Sequence, residues 1–218
     1  MFLRKAVLPF LFLLASAFTA SAADYAPVSP PQPTESNGKI EVIEFFWYGC
    51  PHCYHLEPSV NAWLKTKPDD VVFKRVPAYP SESWGELARV FYTIQAMGLL
   101  PEMHDKIFDA IHKDGVNLAN KKIRLQWLSK NGVDVAKYEQ VEKSFTVASD
   151  LQRAKQMTIN YKVDSVPRVE VNGKYYTDGG LAGSPERIFT VVDELIAKVR
   201  AENGKPAPAP AAPRKKTK

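Results

Sequence analysis

The alternation of apolar and polar residues predicts a strand–helix–strand unit early in the chain. Residues 39–48, KIEVIEFFWY, carry apolar side chains on both faces of an extended segment, which is typical of a central strand covered by helices. The segment that begins near Cys50 has the apolar spacing of a helix, through Leu56 and Val60, and residues 71–77, VVFKRVP, indicate a second strand. Because a helix connects the two strands, we expect them to run parallel.

The pattern is helical between residues 83 and 161 and then returns to strands. Apolar residues from Trp84 to Phe91 follow the i, i+3, i+4, i+7 spacing of an amphipathic helix, and similar groups recur further along. Residues 166–178, VPRVEVNGKYYTD, predict two short strands, since Asn172-Gly173 is a strong hairpin signal. Ser184-Pro185 then favours the start of a last helix. This order predicts an α/β fold interrupted by a helical insertion.

Both ends of the chain are expected to lie outside the folded core. Residues 1–22 have the basic start, the apolar run and the small-residue cleavage pattern of a secretory signal peptide, and the apolar run is too short to span a membrane. Residues 23–38 and 201–218 are rich in proline and polar or small residues, which predicts a flexible N-terminal segment and a disordered basic Pro/Ala tail. The mature protein is therefore expected in an exported compartment where disulfides persist.

The net charge gives no indication of nucleic-acid binding. The chain carries a formal charge of +5, of which residues 1–22 contribute +2 and residues 201–218 contribute +4, so that residues 23–200 carry −1. A nearly neutral folded part offers no electrostatic basis for a nucleic-acid partner. The basic tail either touches an anionic membrane surface or is simply solvated.

The only two cysteines lie three positions apart, in the stretch CPHC, as Cys50 and Cys53. As a structural staple the pair would close a four-residue loop, the kind that gains least from a disulfide. As a zinc site it lacks a second cysteine pair, and His104 and His112 are eight positions apart rather than three to five. Reversible redox chemistry is the remaining interpretation, and it requires no bound cofactor or metal.

The position of the pair supports redox chemistry. Cys50 follows a buried strand and precedes a helix, so its sulfur should lie at the helix N-terminus, where unpaired backbone N–H groups and the helix dipole stabilise a thiolate. Pro51 suits the first helical turn, where its missing N–H costs little. His52 either adds a positive charge or an N–H donor to the site, or is a solvated residue at the helix start.

The chain resembles the DsbA family of bacterial periplasmic thiol oxidases. The resemblance rests on CPHC after an apolar strand, on VPRVEVNGKY more than a hundred residues later, and on the leader and the helical insertion. It implies a thioredoxin-like fold with an inserted helical domain: residues 39–82 and 162–200 form the thioredoxin-like part, and residues 83–161 form the insertion. It also implies a periplasmic location and a protein that acts as a monomer.

The resemblance further implies roles for single residues. Cys50 would be the exposed nucleophile and Cys53 the buried resolving thiol. The Val166-Pro167 bond would be cis and pack against the disulfide, Pro58 would be the kink proline of the active-site helix, and unfolded peptide would pair with the backbone beside Val166. Reduced, unfolded exported proteins would be the substrates, and a DsbB-like quinone-linked membrane protein would reoxidise the dithiol.

Two charged residues have more than one interpretation each. Glu44 matches the family's buried acid, and a carboxyl group between Ile43 and Phe45 on a covered strand should have a raised pKa that suits proton relay to Cys53. It could equally be a structural acid paired with Lys74 or Arg75. Arg168 departs from the small or apolar residue usual in the family; it stabilises the Cys50 thiolate, changes which substrates are accepted, or points to solvent.

Two other functions compete with that of an oxidase. A disulfide isomerase or reductase would use the reduced dithiol as its working form, and the reduction potential discriminates between these and an oxidase. A peptide-binding holdase would carry the dithiol incidentally and would keep its binding without Cys50.

Overall fold

The computed structural model describes residues 23–204, and this part of the chain folds as one mixed sheet with helices on both faces. The strands are β1 (Ala26–Pro27), β2 (Ile40–Phe46), β3 (Val71–Pro77), β4 (Arg168–Val171) and β5 (Tyr175–Asp178). The helices are α1 (Pro51–Leu64), α2 (Glu82–Ala96), α3 (Leu100–His112), α4 (Lys121–Lys130), α5 (Val135–Glu142), α6 (Phe145–Asn160) and α7 (Ile188–Glu202), the last preceded by a 3₁₀ turn at Pro185–Arg187.

The sheet has the strand order β1-β5-β4-β2-β3, which places β2 between β4 and β3. Strands β2 and β3 are parallel, as the strand–helix–strand pattern predicts, whereas β2–β4 and β4–β5 are antiparallel. The β4–β5 hairpin turns at Asn172 and Gly173, both of which have positive φ. The predicted strand pairing and hairpin are therefore confirmed, together with the thioredoxin-like class with five helices inserted between β3 and β4.

The two faces of β2 bury different sets of side chains. Ile43 and Phe45 belong to a large core shared with the helices of the insertion, while Val42 belongs to a second core formed with α1 and α7. Successive side chains of a strand point to opposite faces, so each face needs its own cover. The inserted helices therefore form one wall of the core directly behind the carboxyl end of β2, where Cys50 follows.

The N-terminal segment is ordered, contrary to the flexible segment expected for residues 23–38. Strand β1 pairs antiparallel with β5, and the Val28 amide donates to the Lys174 carbonyl at 2.8 Å. Val28 keeps only 4% of its side chain exposed and packs into the larger core. Proline is compatible with an edge strand because some backbone nitrogens of an edge strand face solvent and have no strand partner, so the proline-rich composition does not exclude order here.

The predicted tail also begins later than expected. Helix α7 continues to Glu202, whose carboxylate accepts hydrogen bonds from Lys174 and Tyr175. The rest of the tail, residues 205–218, and the leader, residues 1–22, lie outside the described residues. Between residues 23 and 204, no helix is long and apolar enough to cross a membrane.

Candidate active site

The dithiol lies where β2 ends and α1 begins. Cys50 is the N-cap residue of α1, with extended backbone angles of −91° and 118°, and Pro51 occupies the first helical position. No side chain of the described residues caps this helix end, so the N–H groups of the first turn remain available to an anion at Cys50. Both cysteines are free thiols, and the geometry is that of the reduced form.

The two sulfurs have opposite environments. A hydrogen bond from the Cys53 thiol lowers the pKa of Cys50 to about 6, against partial burial, with further help from the backbone of Cys53 and His52 and from the charge of His52. Burial raises the pKa of Cys53 well above its usual range. At neutral pH the pair therefore holds its negative charge on Cys50 and its proton on Cys53.

Burial corrects the expectation that Cys50 is exposed. Cys50 has 8% of its surface exposed to solvent, and Cys53 has none. The difference still favours Cys50 as the sulfur that a substrate reaches first. His52 beside it is exposed, and Pro58 lies inside α1, which continues to Leu64.

A pair of tryptophans holds the loop before Cys50. The rings of Trp47 and Trp84 stack with centroids 4.3 Å apart and planes 15° from parallel. A Cβ atom on Gly49 would overlap the Trp47 indole, so glycine is required for the loop to pass under this ring. Because Trp84 belongs to α2, the inserted helices help to position the residue that precedes the nucleophile.

The loop before β4 faces Cys50. The Val166-Pro167 bond is cis, and the Cys50 sulfur lies 3.4 Å from the Val166 carbonyl, to which it donates when it is protonated. A groove of about 370 Å³ runs from His52 past Val166 and Pro167 to Gly179 and Ile188. An extended peptide in this groove would lie against the Val166 backbone, next to the reactive sulfur.

Arg168 does not point to solvent. Its side chain is 4% exposed, and its Nε donates to Glu170 Oε1 at 2.7 Å. The guanidinium also donates to the carbonyls of Tyr161 and Lys162, and it lies 3.4 Å from the Tyr176 ring centroid. Arg168 therefore ties β4 to the end of α6, and its effect on the Cys50 thiolate or on substrate choice stays a prediction.

Glu44 combines both interpretations made from the sequence. It is fully buried, and burial raises its pKa to about 8, with further help from the negative charge of Glu57. Arg75 Nε approaches Glu44 Oε2 at 3.2 Å and opposes this rise, while Lys74 pairs with Glu41 instead. Neither Glu44 oxygen meets an aligned hydrogen-bond partner among residues 23–204, which favours the neutral acid.

A buried polar chain continues from Glu44 into the inserted helices. Arg75 Nη2 donates to Glu57 Oε2 at 2.9 Å, Glu57 Oε1 lies 3.2 Å from His104 Nε2, and His104 Nδ1 lies 2.8 Å from the Tyr48 hydroxyl. Sequence reasoning missed Glu57 and considered His104 only as a metal ligand. A usable signal was present for Glu57, because it lies one helical turn after Cys53, on the buried face of α1.

One group of side chains among residues 23–204 has the spacing for a metal ion. Ligand atoms of Glu57, His104 and Asp105 lie within 4.8 Å of one another. Glu57 already binds Arg75 and His104, and the guanidinium would repel a cation. These residues therefore fit an internal hydrogen-bond chain better than a metal site.

Comparison with known proteins agrees with this geometry. A family model described as a DSBA-like thioredoxin domain matches residues 70–195. The thiol:disulfide interchange protein DsbA of Azotobacter vinelandii is 46% identical over 169 residues, which cover 78% of this chain and 79% of that protein. The protein of the same name from Pseudomonas aeruginosa PAO1 is 38% identical over 207 residues, covering 91% of this chain and 98% of its own.

Solved structures extend the match to three dimensions. The crystal structure of Pseudomonas aeruginosa DsbA has a TM-score of 0.80 at 40% identity, covering 84% of this chain and 95% of that one. The oxidoreductase NmDsbA1 from Neisseria meningitidis has a TM-score of 0.75 at 28% identity. The chain has a thiol at a helix N-terminus beside a cis-proline loop, and DsbA proteins match it over most of its length. The chain therefore belongs to the DsbA family of thioredoxin-like thiol:disulfide oxidoreductases.

Proposed function

We propose that the chain is a periplasmic oxidase that gives its Cys50–Cys53 disulfide to reduced, unfolded exported proteins. The observation that carries the proposal is the arrangement of the dithiol: Cys50 is the N-cap residue of α1 and accepts a hydrogen bond from the fully buried Cys53 thiol. This arrangement lowers the pKa of Cys50 to about 6, and burial raises that of Cys53. A stabilised thiolate in the reduced form makes the disulfide easier to reduce, and hence a stronger oxidant. The site needs no other cofactor.

The reaction is two successive thiol–disulfide exchanges. A substrate thiolate attacks Cys50 Sγ, a substrate–Cys50 bond forms, and the Cys50–Cys53 bond breaks as Cys53 takes up a proton. A second substrate thiolate attacks the first substrate sulfur and releases Cys50 as a thiolate. The substrate has lost two electrons and the dithiol has gained them.

The other partners follow from the same chemistry. The accessible Val166 backbone and the groove beside it suit an extended chain of varied sequence, as expected of unfolded substrates. Reduced Cys50 and Cys53 must pass two electrons to another oxidant, and a DsbB-like quinone-linked membrane protein fits this need. A single chain contains the complete site, so the protein is expected to act as a monomer.

The thiolate can be tested in the purified reduced protein. The rate of Cys50 alkylation should follow a titration with a midpoint near pH 6 rather than near about 8.5, the value of an ordinary thiol. His52→Ala should move the midpoint upward, because a positive charge is lost. In parallel, one equivalent of oxidised protein should convert a reduced two-cysteine peptide to its disulfide.

The control is Cys50→Ser, which should neither be alkylated at this site nor oxidise the peptide. A midpoint near 8.5 together with no peptide oxidation would contradict the proposed function. The holdase would be supported instead if the unmodified protein did not oxidise the peptide and Cys50→Ser still bound it.

A further inference from the structure

We propose that His104, which lies on the inserted helix α3, is a positioning residue for proton transfer at the dithiol. Its hydrogen bond to Glu57 holds the Glu57–Arg75–Glu44 chain in the arrangement that lets Glu44 give a proton to Cys53. The inference rests on the proposed function for its biological meaning, but its structural basis is the continuous contact from α3 through α1 and β3 to β2.

The His104 ring is fixed on every side. Its side chain is almost fully buried among aromatic rings, with Phe46 and Phe108 centroids 5.5 and 5.2 Å from its own. The Tyr48 hydroxyl can donate to Nδ1, which leaves the Nε2 proton to Glu57 Oε1. This assignment of the ring protons satisfies both nitrogens, so the ring presents a donor to Glu57 in one orientation.

Glu57 needs this donor because it is buried. Burial alone would raise the pKa of Glu57, but the hydrogen bond from His104, together with the charge and hydrogen bond of Arg75, holds it below its usual range. An ionised Glu57 has two effects on Glu44. It binds Arg75 Nη2 at 2.9 Å, and its own negative charge disfavours a second carboxylate at Glu44.

Charged and titratable groups from several elements surround this chain. Asp105 on α3 has a carboxylate oxygen within 4.8 Å of the Glu57 and His104 ligand atoms and accepts from Asn61 of α1 at 3.4 Å. Tyr48 comes from the loop after β2, Arg75 from β3, and Cys53 from α1. Arg75 is the cation placed between Glu44 and Glu57, and His104 contacts the far side of Glu57.

The proposed proton transfer runs from Glu44 to Cys53, whose pKa is raised by burial and, to a smaller degree, by the charge of Glu44. When a substrate thiolate attacks Cys50, Cys53 leaves with the electron pair of the broken S–S bond. A carboxylic acid at Glu44 gives its proton to the Cys53 sulfur and becomes a carboxylate, and solvent later restores the proton. Without the His104 donor, Glu57 takes up a proton more readily, Arg75 is left to Glu44, and Glu44 loses its proton at lower pH.

The test compares two amide replacements of His104. His104→Asn is too short to reach Glu57, whereas His104→Gln can place an amide N–H near the position of Nε2. The Glu44 carboxyl band in the infrared spectrum is assigned by its loss in Glu44→Gln. The midpoint of its titration should move to lower pH by about one unit in His104→Asn. The rate at which a small thiol reduces the Cys50–Cys53 disulfide depends on pH, and the alkaline side of that pH profile should move by the same amount. His104→Gln should reverse at least half of both shifts.

His112→Asn is the matched control, because His112 also lies on α3 but hydrogen-bonds the Tyr48 carbonyl at 2.8 Å rather than Glu57. It should leave both titrations in place. Unchanged titrations in a folded His104→Asn protein, or equal shifts in the Asn and Gln variants, would overturn the proposal. If His104→Asn does not fold, Glu57→Gln takes its place and should give the same downward shift of the Glu44 titration. The absence of that shift would overturn the inference. The infrared titration needs no protein substrate. The His104 proposal can therefore fail while the peptide-oxidation test of the proposed function succeeds, and the reverse.

Discussion

Cys53→Ala is expected to accumulate mixed disulfides with exported proteins, all of them through Cys50. In this variant the Cys50 thiolate can still attack a disulfide of another protein, but no internal thiol remains to release it. Turnover should fall by about a thousandfold or more, because a covalent mechanism has lost its second sulfur. The measurement is non-reducing electrophoresis of cells that express the variant, followed by mass spectrometry of the trapped species.

Cys50→Ala provides the matched control for this experiment. The remaining Cys53 sulfur has no exposed surface and a raised pKa, so it is both inaccessible and protonated. We therefore expect no adducts, although turnover is lost to the same degree. Equal trapping by the two variants would show that the nucleophile has been assigned wrongly.

The second large effect is on stability: the reduced protein should unfold at a higher temperature than the oxidised protein above neutral pH. The disulfide closes a loop of only four residues and so restricts the unfolded chain little. Reduction frees Cys50 to ionise, and the folded state favours that thiolate through the helix N-terminus and the Cys53 thiol. The unfolded chain offers neither.

The pH dependence follows from linkage. The folded pKa of Cys50 is about 6 and lies below the unfolded value of about 8.5, so the stabilisation grows as pH rises between them and fades as pH falls through 6. After allowance for solvent screening at a partly accessible sulfur, we expect about 1 kcal/mol per pH unit in this window. Above 8.5 the gain stops, because Cys50 is then ionised in the unfolded chain as well.

Denaturation curves of both redox forms of one preparation, at several pH values, test this expectation. Groups that are common to both forms largely cancel in the difference, which therefore reports the thiols. A difference that stays flat between pH 6 and 8.5 would exclude a stabilised Cys50 thiolate. An oxidised form that is the more stable at pH 8 would favour the reductase or isomerase interpretation.

Local patterns in the sequence predicted the parts of the fold that depend on neighbouring residues. Strand β3 spans the residues expected for it, and the turn at Asn172 and Gly173 lies where the hairpin signal places it. Cys50 lies at the start of α1, as the strand-to-helix switch predicts. In each of these cases the cause is local: residue spacing, turn chemistry or a helix boundary.

The errors concern contacts between distant parts of the chain. Residues 23–38 look unable to fold alone, and they are ordered because β1 adds to the edge of β5, far along the chain. The Glu57–His104 contact joins α1 to α3 across 47 positions and has no local signature. Arg168 is a partial exception, since Glu170 lies two positions on, on the same face of β4, and its pairing could have been anticipated.

The reduction potential of the Cys50–Cys53 couple, measured by equilibration with glutathione buffers, tests the proposed oxidase most directly. Reference couples measured on other proteins run from about −270 mV for thioredoxin through about −180 mV for protein disulfide isomerase to about −120 mV for a DsbA protein. We expect a value less negative than about −180 mV, because the folded protein stabilises the Cys50 thiolate of the reduced form. A value near −270 mV would mean that the dithiol is the working form, and it would contradict the proposal that this chain donates disulfides.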